Sequence, residues 1–210
     1  MKRGCRLPYA VGMGSSRPEP VHIHAHAMDN LRYIRKTIER AGSFTAVPGI
    51  GGMLMGSTAL AAAWAASRQG HGAAWLAIWL GEALVALTIG IIGAELKSRR
   101  ARLPLVSGPA RKFVAGFAPA MAAGALLTAV MYRAGSIGML PGTWMLLYGA
   151  GVVSGGWASV RIVPLMGACF MGMGGVSLLW PGISPDAILA AAFGGLHIIF
   201  GTVIAVKYGG

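Results

Sequence analysis

Charge is scarce along this chain. Only 11% of its 210 residues are charged, against about 25% in an average soluble domain. Acids are rarest: Glu19, Asp29, Glu39, Glu82, Glu95 and Asp186 make up the full set. With 55% of residues hydrophobic, the chain cannot cover a water-soluble core with a polar surface. Cysteine is nearly missing as well. Cys5 and Cys169 lie far apart, so no CxxC pair and no disulfide framework exists. The first sixteen residues, MKRGCRLPYAVGMGSS, lack the apolar core of a secretory signal. A nucleophile elbow, an HExxH helix and a P-loop are all absent. The expectation is a protein that is not an enzyme and needs no cofactor.

What the chain has instead is long apolar runs. Six stretches reach or approach the roughly 20 residues that cross a bilayer: 46–67, 73–94, 113–132, 141–159, 161–180 and 186–206. They predict an all-α integral membrane fold, a bundle of six transmembrane helices spanning 45–210. Gly-rich runs such as Gly142 to Gly156 fall inside these stretches without a following Lys-Ser/Thr. They read as packing glycines rather than phosphate loops.

The net charge of +12 is explained by where the bases lie. Eight Lys/Arg precede the first span, six fall in 95-ELKSRRARLPLVSGPARK-112, and Arg161 and Lys207 mark two further exits on the same side. Only Arg68 and Arg133 fall on the other. The positive-inside rule then predicts cytoplasmic termini in a bacterial inner (plasma) membrane. The basic face predicts anionic lipid as a partner and no nucleic acid. Trp64, Trp75, Trp144 and Trp180 fall near the outer ends of spans, the pattern of an interfacial aromatic belt. Ser184-Pro185-Asp186 reads as an N-cap, a first-turn proline and a first-turn acid, which assigns Asp186 to capping.

Two segments precede the bundle. Residues 1–28 predict a flexible basic leader containing VHIHAHAMDN. In an extended segment His22, His24 and His26 would point the same way, a geometry that could hold a divalent metal through imidazoles. Residues 29–44 predict a cytoplasmic interfacial helix. Leu31, Ile34, Ile38 and Ala41 recur at helical spacing beside Arg32, Lys36 and Arg40.

VPGIGGMLMG (47–56) and VPLMGACFMG (163–172) share five of ten positions. They raise the expectation of three related helical hairpins in tandem. One acid, Glu82, lies well inside a span, about 13 Å from its outer end at 1.5 Å per residue. That is close to the middle of a hydrocarbon core about 30 Å thick. An intramembrane carboxylate is costly and calls for a partner. His197 in the sixth span has a similar depth and is the expected partner. Tyr148 lies somewhat nearer the outer side. Gly52 and Gly56, Gly151 and Gly155, and Gly194 and Gly201 form small-residue faces that let helices approach closely.

Two functions fit. One is a small proton or solute permease, or a channel-like protein, built on a Glu82/His197 pair with Tyr148. The other is a membrane scaffold, anchor or assembly subunit that recruits a partner through its basic leader, or assembles with copies of itself.

Overall fold

A computed structural model of the chain describes residues 28–34, 48–100, 108–157, 159–180 and 182–208. The chain divides into two units, Met1–Glu39 and Arg40–Gly210. In the first, residues 28–34 are helical, and Arg32 pairs with Asp29 at 3.4 Å. The rest of the expected interfacial helix and all three leader histidines lie outside the described residues.

The second unit is built of helices joined by turns, with no strand among its described residues. Its elements are α1 (Gly49–Ala66), α2 (Ala73–Arg100), α3 (Gly108–Arg133), a 3-10 turn (Ile137–Met139), α4 (Leu140–Gly156) and α5 (Ile162–Leu179). Then come α6 (Pro185–Leu189), a π-helical segment (Ala190–Leu196) and α7 (His197–Tyr208). The last three run on as one sixth span, Pro185–Tyr208. Six helical stretches are thus long and apolar enough to cross a membrane, compatible with a polytopic integral membrane protein.

Local chemistry sets the ends. Extended Pro48 precedes α1, and having no N–H to leave unpaired it suits a helix start. Beyond α3, Gly135 takes φ +70. Ser136 N–H then bonds Met131 O and Gly135 N–H bonds Tyr132 O, the paired bonds of a Schellman stop that needs a left-handed residue. Ser184 caps the sixth span and accepts the Ala187 N–H, as its sequence suggests.

The six spans group into two triplets. In one, α1 lies between α2 and the sixth span; in the other, α4 lies between α3 and α5. Glycine makes these crossings close. A Cβ on Gly52 would sit 3.2 Å from the Gly201 Cα, and one on Gly56 would sit 2.6 Å from Gly194 O. In the second triplet, a Cβ on Gly149 would collide with the backbone at Gly167, and one on Gly174 would meet Gly142 O at 2.8 Å. Gly151 and Gly155 abut Phe117 and Phe113 of α3. Lipid tails are as apolar as leucine, so close packing and interhelical hydrogen bonds, rather than water exclusion, hold such helices together. The outer flanks, α2 and α3, stay mostly uncovered: Leu84, Leu87, Ile91, Leu126 and Val130 all face outward.

This grouping departs from three tandem hairpins. The first two hairpins, α1–α2 and α3–α4, are packed pairs, but α5 and the sixth span separate into different triplets. The architecture points to another correspondence. Without a gap, Pro48 aligns with Pro141, Gly49 with Gly142, Leu54 with Leu147, Gly56 with Gly149, Trp64 with Trp157 and Arg68 with Arg161. α1 thus corresponds to α4, each the centre of its triplet. Each centre packs on the helix that follows it and on one from the other half of the chain: α1 on α2 and the sixth span, α4 on α5 and α3. Trp75, near the start of α2, stacks on Trp144, near the start of α4. Since α2 starts where α1 ends, α1 and α4 run in opposite senses.

Candidate functional site in the seam between the triplets

The triplets meet along an aromatic seam. Tyr148 of α4 and Phe170 of α5 face Phe193 and His197 of the sixth span, with ring centroids 4.7 to 5.4 Å apart across the set Tyr148–Phe170, Tyr148–Phe193, Tyr148–His197, Phe170–Phe193 and Phe170–His197. Trp75 and Trp144 extend the seam, stacked at 5.7 Å with planes 6° apart. Rings bring large contact area at low entropic cost and prefer offset or edge-on contacts, so a cluster of this kind both fills and orients the junction.

Two buried polar groups of the sixth span enter this region, Asp186 at its start and His197 past its middle. The π segment lies between them. A π turn inside a helix often marks a functional position, and here it precedes His197 directly. The His197 amide donates to Gly194 O. Its side-chain Nδ1 lies 2.9 Å from Phe193 O, and its Nε2 lies 2.7 Å from the Tyr148 hydroxyl. A carbonyl oxygen can only accept, so Nδ1 carries the proton. In the neutral ring Nε2 is then the acceptor, and Tyr148 donates its O–H to it. Adding a proton at Nε2 reverses that bond and makes Tyr148 the acceptor. The hydrogen bond can therefore persist in either state of the ring, with donor and acceptor exchanged.

Asp186 does more than sit in a first turn. Its carboxylate is buried, and Oδ1 accepts the indole N–H of Trp75 at 2.7 Å and of Trp79 at 3.4 Å. His71 Nε2 stands 4.0 Å from Oδ2 and is half exposed. The expected order holds, with Ser184 making the capping bond and Asp186 the acid of the first turn, and Asp186 is in addition the acceptor of a buried indole pair. The reading of Trp75 as a belt residue is corrected. It is fully buried, because its N–H has a carboxylate to reach and its face has Trp144 to cover it. Trp144 is half-buried and donates to Thr128 Oγ1 at 2.8 Å. Trp64 and Trp180 are exposed.

Glu82 and His197 have different partners, and among the described residues no hydrogen bond or ion pair joins them. Glu82 lies on α2 against α1, with Oε1 2.8 Å from Thr58 Oγ1. Thr58 Oγ1 also lies 2.9 Å from Met55 O and 3.2 Å from Leu54 O. One hydroxyl has one proton to give. An ionised Glu82 takes that proton for itself. A protonated Glu82 donates to Thr58, which then donates to a carbonyl of its own helix.

The structure thus brings His197 and Tyr148 together in the seam, and sets Glu82 apart from them. The glycines form two closely crossed pairs, Gly52 and Gly56 against the sixth span, and Gly151 and Gly155 against α3. Cys169 is a half-buried free thiol, packed with Met173 against the core. Among the described residues no three of His, Cys, Asp and Glu gather as a metal set. Sequence reasoning missed the His71–Trp75–Trp79–Asp186 cluster. Its trace was there: Trp75 and Trp79 stand four residues apart on one helix face, and the acid opening the sixth span falls at the same end of the bundle.

No protein-family model matches the chain, and neither a curated protein nor a solved structure shows significant similarity to it.

Proposed function

We propose that the protein is a small permease for protons or a small polar solute, with Tyr148 and His197 as its central polar pair. The observation that carries this is their 2.7 Å hydrogen bond, made between triplets of opposite sense and enclosed by the aromatic seam. Inverted repeats with a polar site at their interface are a recurring plan of secondary transporters. The gap-free correspondence of α1 with α4, each packed on a helix from the other half of the chain, supports that plan here. Rocking one triplet against the other would make or break the Tyr148–His197 bond. Asp186 and His71 would stand at the outer mouth, within one span of the pair, in a chain whose termini face the cytoplasm of a bacterial cell. The scaffold reading draws on the basic leader, and no contact described in the bundle favours it.

The test is flux in reconstituted vesicles. The wild type should carry protons down an imposed pH gradient, or a small polar solute down its own gradient. Tyr148→Phe retains the ring and removes only the hydroxyl, and it should lower that flux about a hundredfold or more, the lower end of what a positioned proton-transfer group contributes. Equal flux in wild type and Tyr148→Phe would overturn the reading.

A further inference from the structure

At the end of the bundle where α4 passes to α5, Trp157, Ser159, Arg161 and Pro164 line a pocket of about 290 Å³. Ser159 Oγ is buried there without a hydrogen-bond partner. A buried hydroxyl rarely stays unpaired without a reason. Arg161 is exposed, and among the described residues no hydrogen bond or ion pair engages its guanidinium. It also directly precedes α5, whose first turn directs its positive dipole end to the same place. Trp157 projects outward almost uncovered, as an indole does at headgroup level.

The corresponding position of the other triplet sharpens the contrast. Trp64 and Arg68 match Trp157 and Arg161 in sequence. There the guanidinium lies 3.8 Å over the indole ring, a cation–π pair complete within the protein. Among the described residues Arg161 has no such pairing. Its triplet instead has a pocket, an unsatisfied hydroxyl and a helix start.

We propose that this pocket binds a phosphate group at the membrane surface, carried by an anionic phospholipid headgroup or free in solution. Arg161 supplies the charge and its planar fork of donors, which matches phosphate oxygens. Ser159, whose hydroxyl has its hydrogen-bonding capacity unused, is the neutral donor in the same lining. Trp157 lies alongside as the interfacial anchor. The site is separate from the seam and stands or falls independently of transport.

The test uses the full-length protein in phosphatidylcholine nanodiscs, titrated with phosphatidylglycerol or with inorganic phosphate, read by thermal shift and by native mass spectrometry. The wild type should bind one of the two. Arg161→Gln should weaken that binding about tenfold, as loss of one charge-assisted contact does, and Ser159→Ala should weaken it less. Arg161→Lys keeps the charge but loses the fork, and should bind more weakly than the wild type and more tightly than Arg161→Gln. Lys112→Gln removes the same charge from an exposed position in α3 and should leave binding unchanged. Dependence on Arg161 with phosphatidylglycerol alone assigns a lipid ligand, and the same dependence with inorganic phosphate assigns a soluble one. Wild-type binding in Arg161→Gln, or no binding of either probe by the wild type, overturns the proposal.

Discussion

Trp75 donates its indole N–H to Asp186 over 2.7 Å, fastening the start of α2 to the start of the sixth span. The same indole stacks on Trp144 of the opposite triplet. One side chain therefore ties together three spans, with a hydrogen bond in one direction and a ring face in the other. Asp186→Ala removes the shared acceptor and strands two indole donors. It should lower stability in mild detergent by about 3 kcal/mol, as loss of a charged acceptor from a buried network does. Asp186→Asn retains a carbonyl oxygen for Trp75 and should cost about half as much. Thermal unfolding of the two variants checks the order.

Glycines of the same chain should respond in opposite directions. A Cβ on Gly56 would lie 2.6 Å from Gly194 O and 3.0 Å from Ile198 N, backbone atoms that cannot step aside. Gly56→Ala must push α1 away from the sixth span and should cost about 1–3 kcal/mol. Gly81, in α2, has nothing within 4 Å of an added Cβ. Gly81→Ala should be neutral or stabilise by about 0.5–1 kcal/mol, because alanine loses less entropy in a helix. Unfolding midpoints measured side by side distinguish the two.

Tyr148→Phe separates packing from chemistry. The ring contacts with Phe170 and Phe193 survive the change. Stability should fall by about 1–3 kcal/mol, because phenylalanine leaves the buried Nε2 of His197 without its donor. Under the permease reading flux falls far more than stability, so the two measurements should diverge. A flux loss that only tracks the unfolded fraction would mark the bond as structural.

Glu82→Gln tests the second interhelical polar pair, Glu82 with Thr58. Glutamine preserves an acceptor for Thr58, so stability should stay within about 0.5 kcal/mol of wild type. With Glu82 set apart from His197, flux should stay within about twofold of wild type, well short of the loss expected for a proton-transfer group. A loss as deep as that of Tyr148→Phe would return Glu82 to the transport path.

Much of the fold was legible. The expected 161–180 became Ile162–Leu179, and the expected 186–206 became Pro185–Tyr208. The expected 73–94 runs on to Arg100, because a helix satisfies its own backbone and need not stop where the apolar stretch does. Ser184 as a cap was readable from one residue and its neighbours. The site was legible only in pieces. His197 and Tyr148 were singled out for their depth, but as companions of Glu82, which bonds Thr58 instead. Asp186 was assigned to its own helix end, although its partners Trp75 and Trp79 stand on a helix more than a hundred residues earlier.

The sequence by itself determined that there would be six apolar helices, roughly where each would begin and end, and which few polar residues would lie at depth. Those properties depend on composition along a single helix, which a bilayer reads directly. Only the tertiary structure decided that α5 and the sixth span would separate, that Trp75 would be buried and that Tyr148 would meet His197. In a soluble protein the buried face of a helix is apolar and the exposed face polar, so the pattern betrays the packing. Here the outward faces and the packed faces are both apolar, and a helix carries little record of which neighbour it will choose. That choice was made by glycine clearances and ring contacts between helices far apart in the chain.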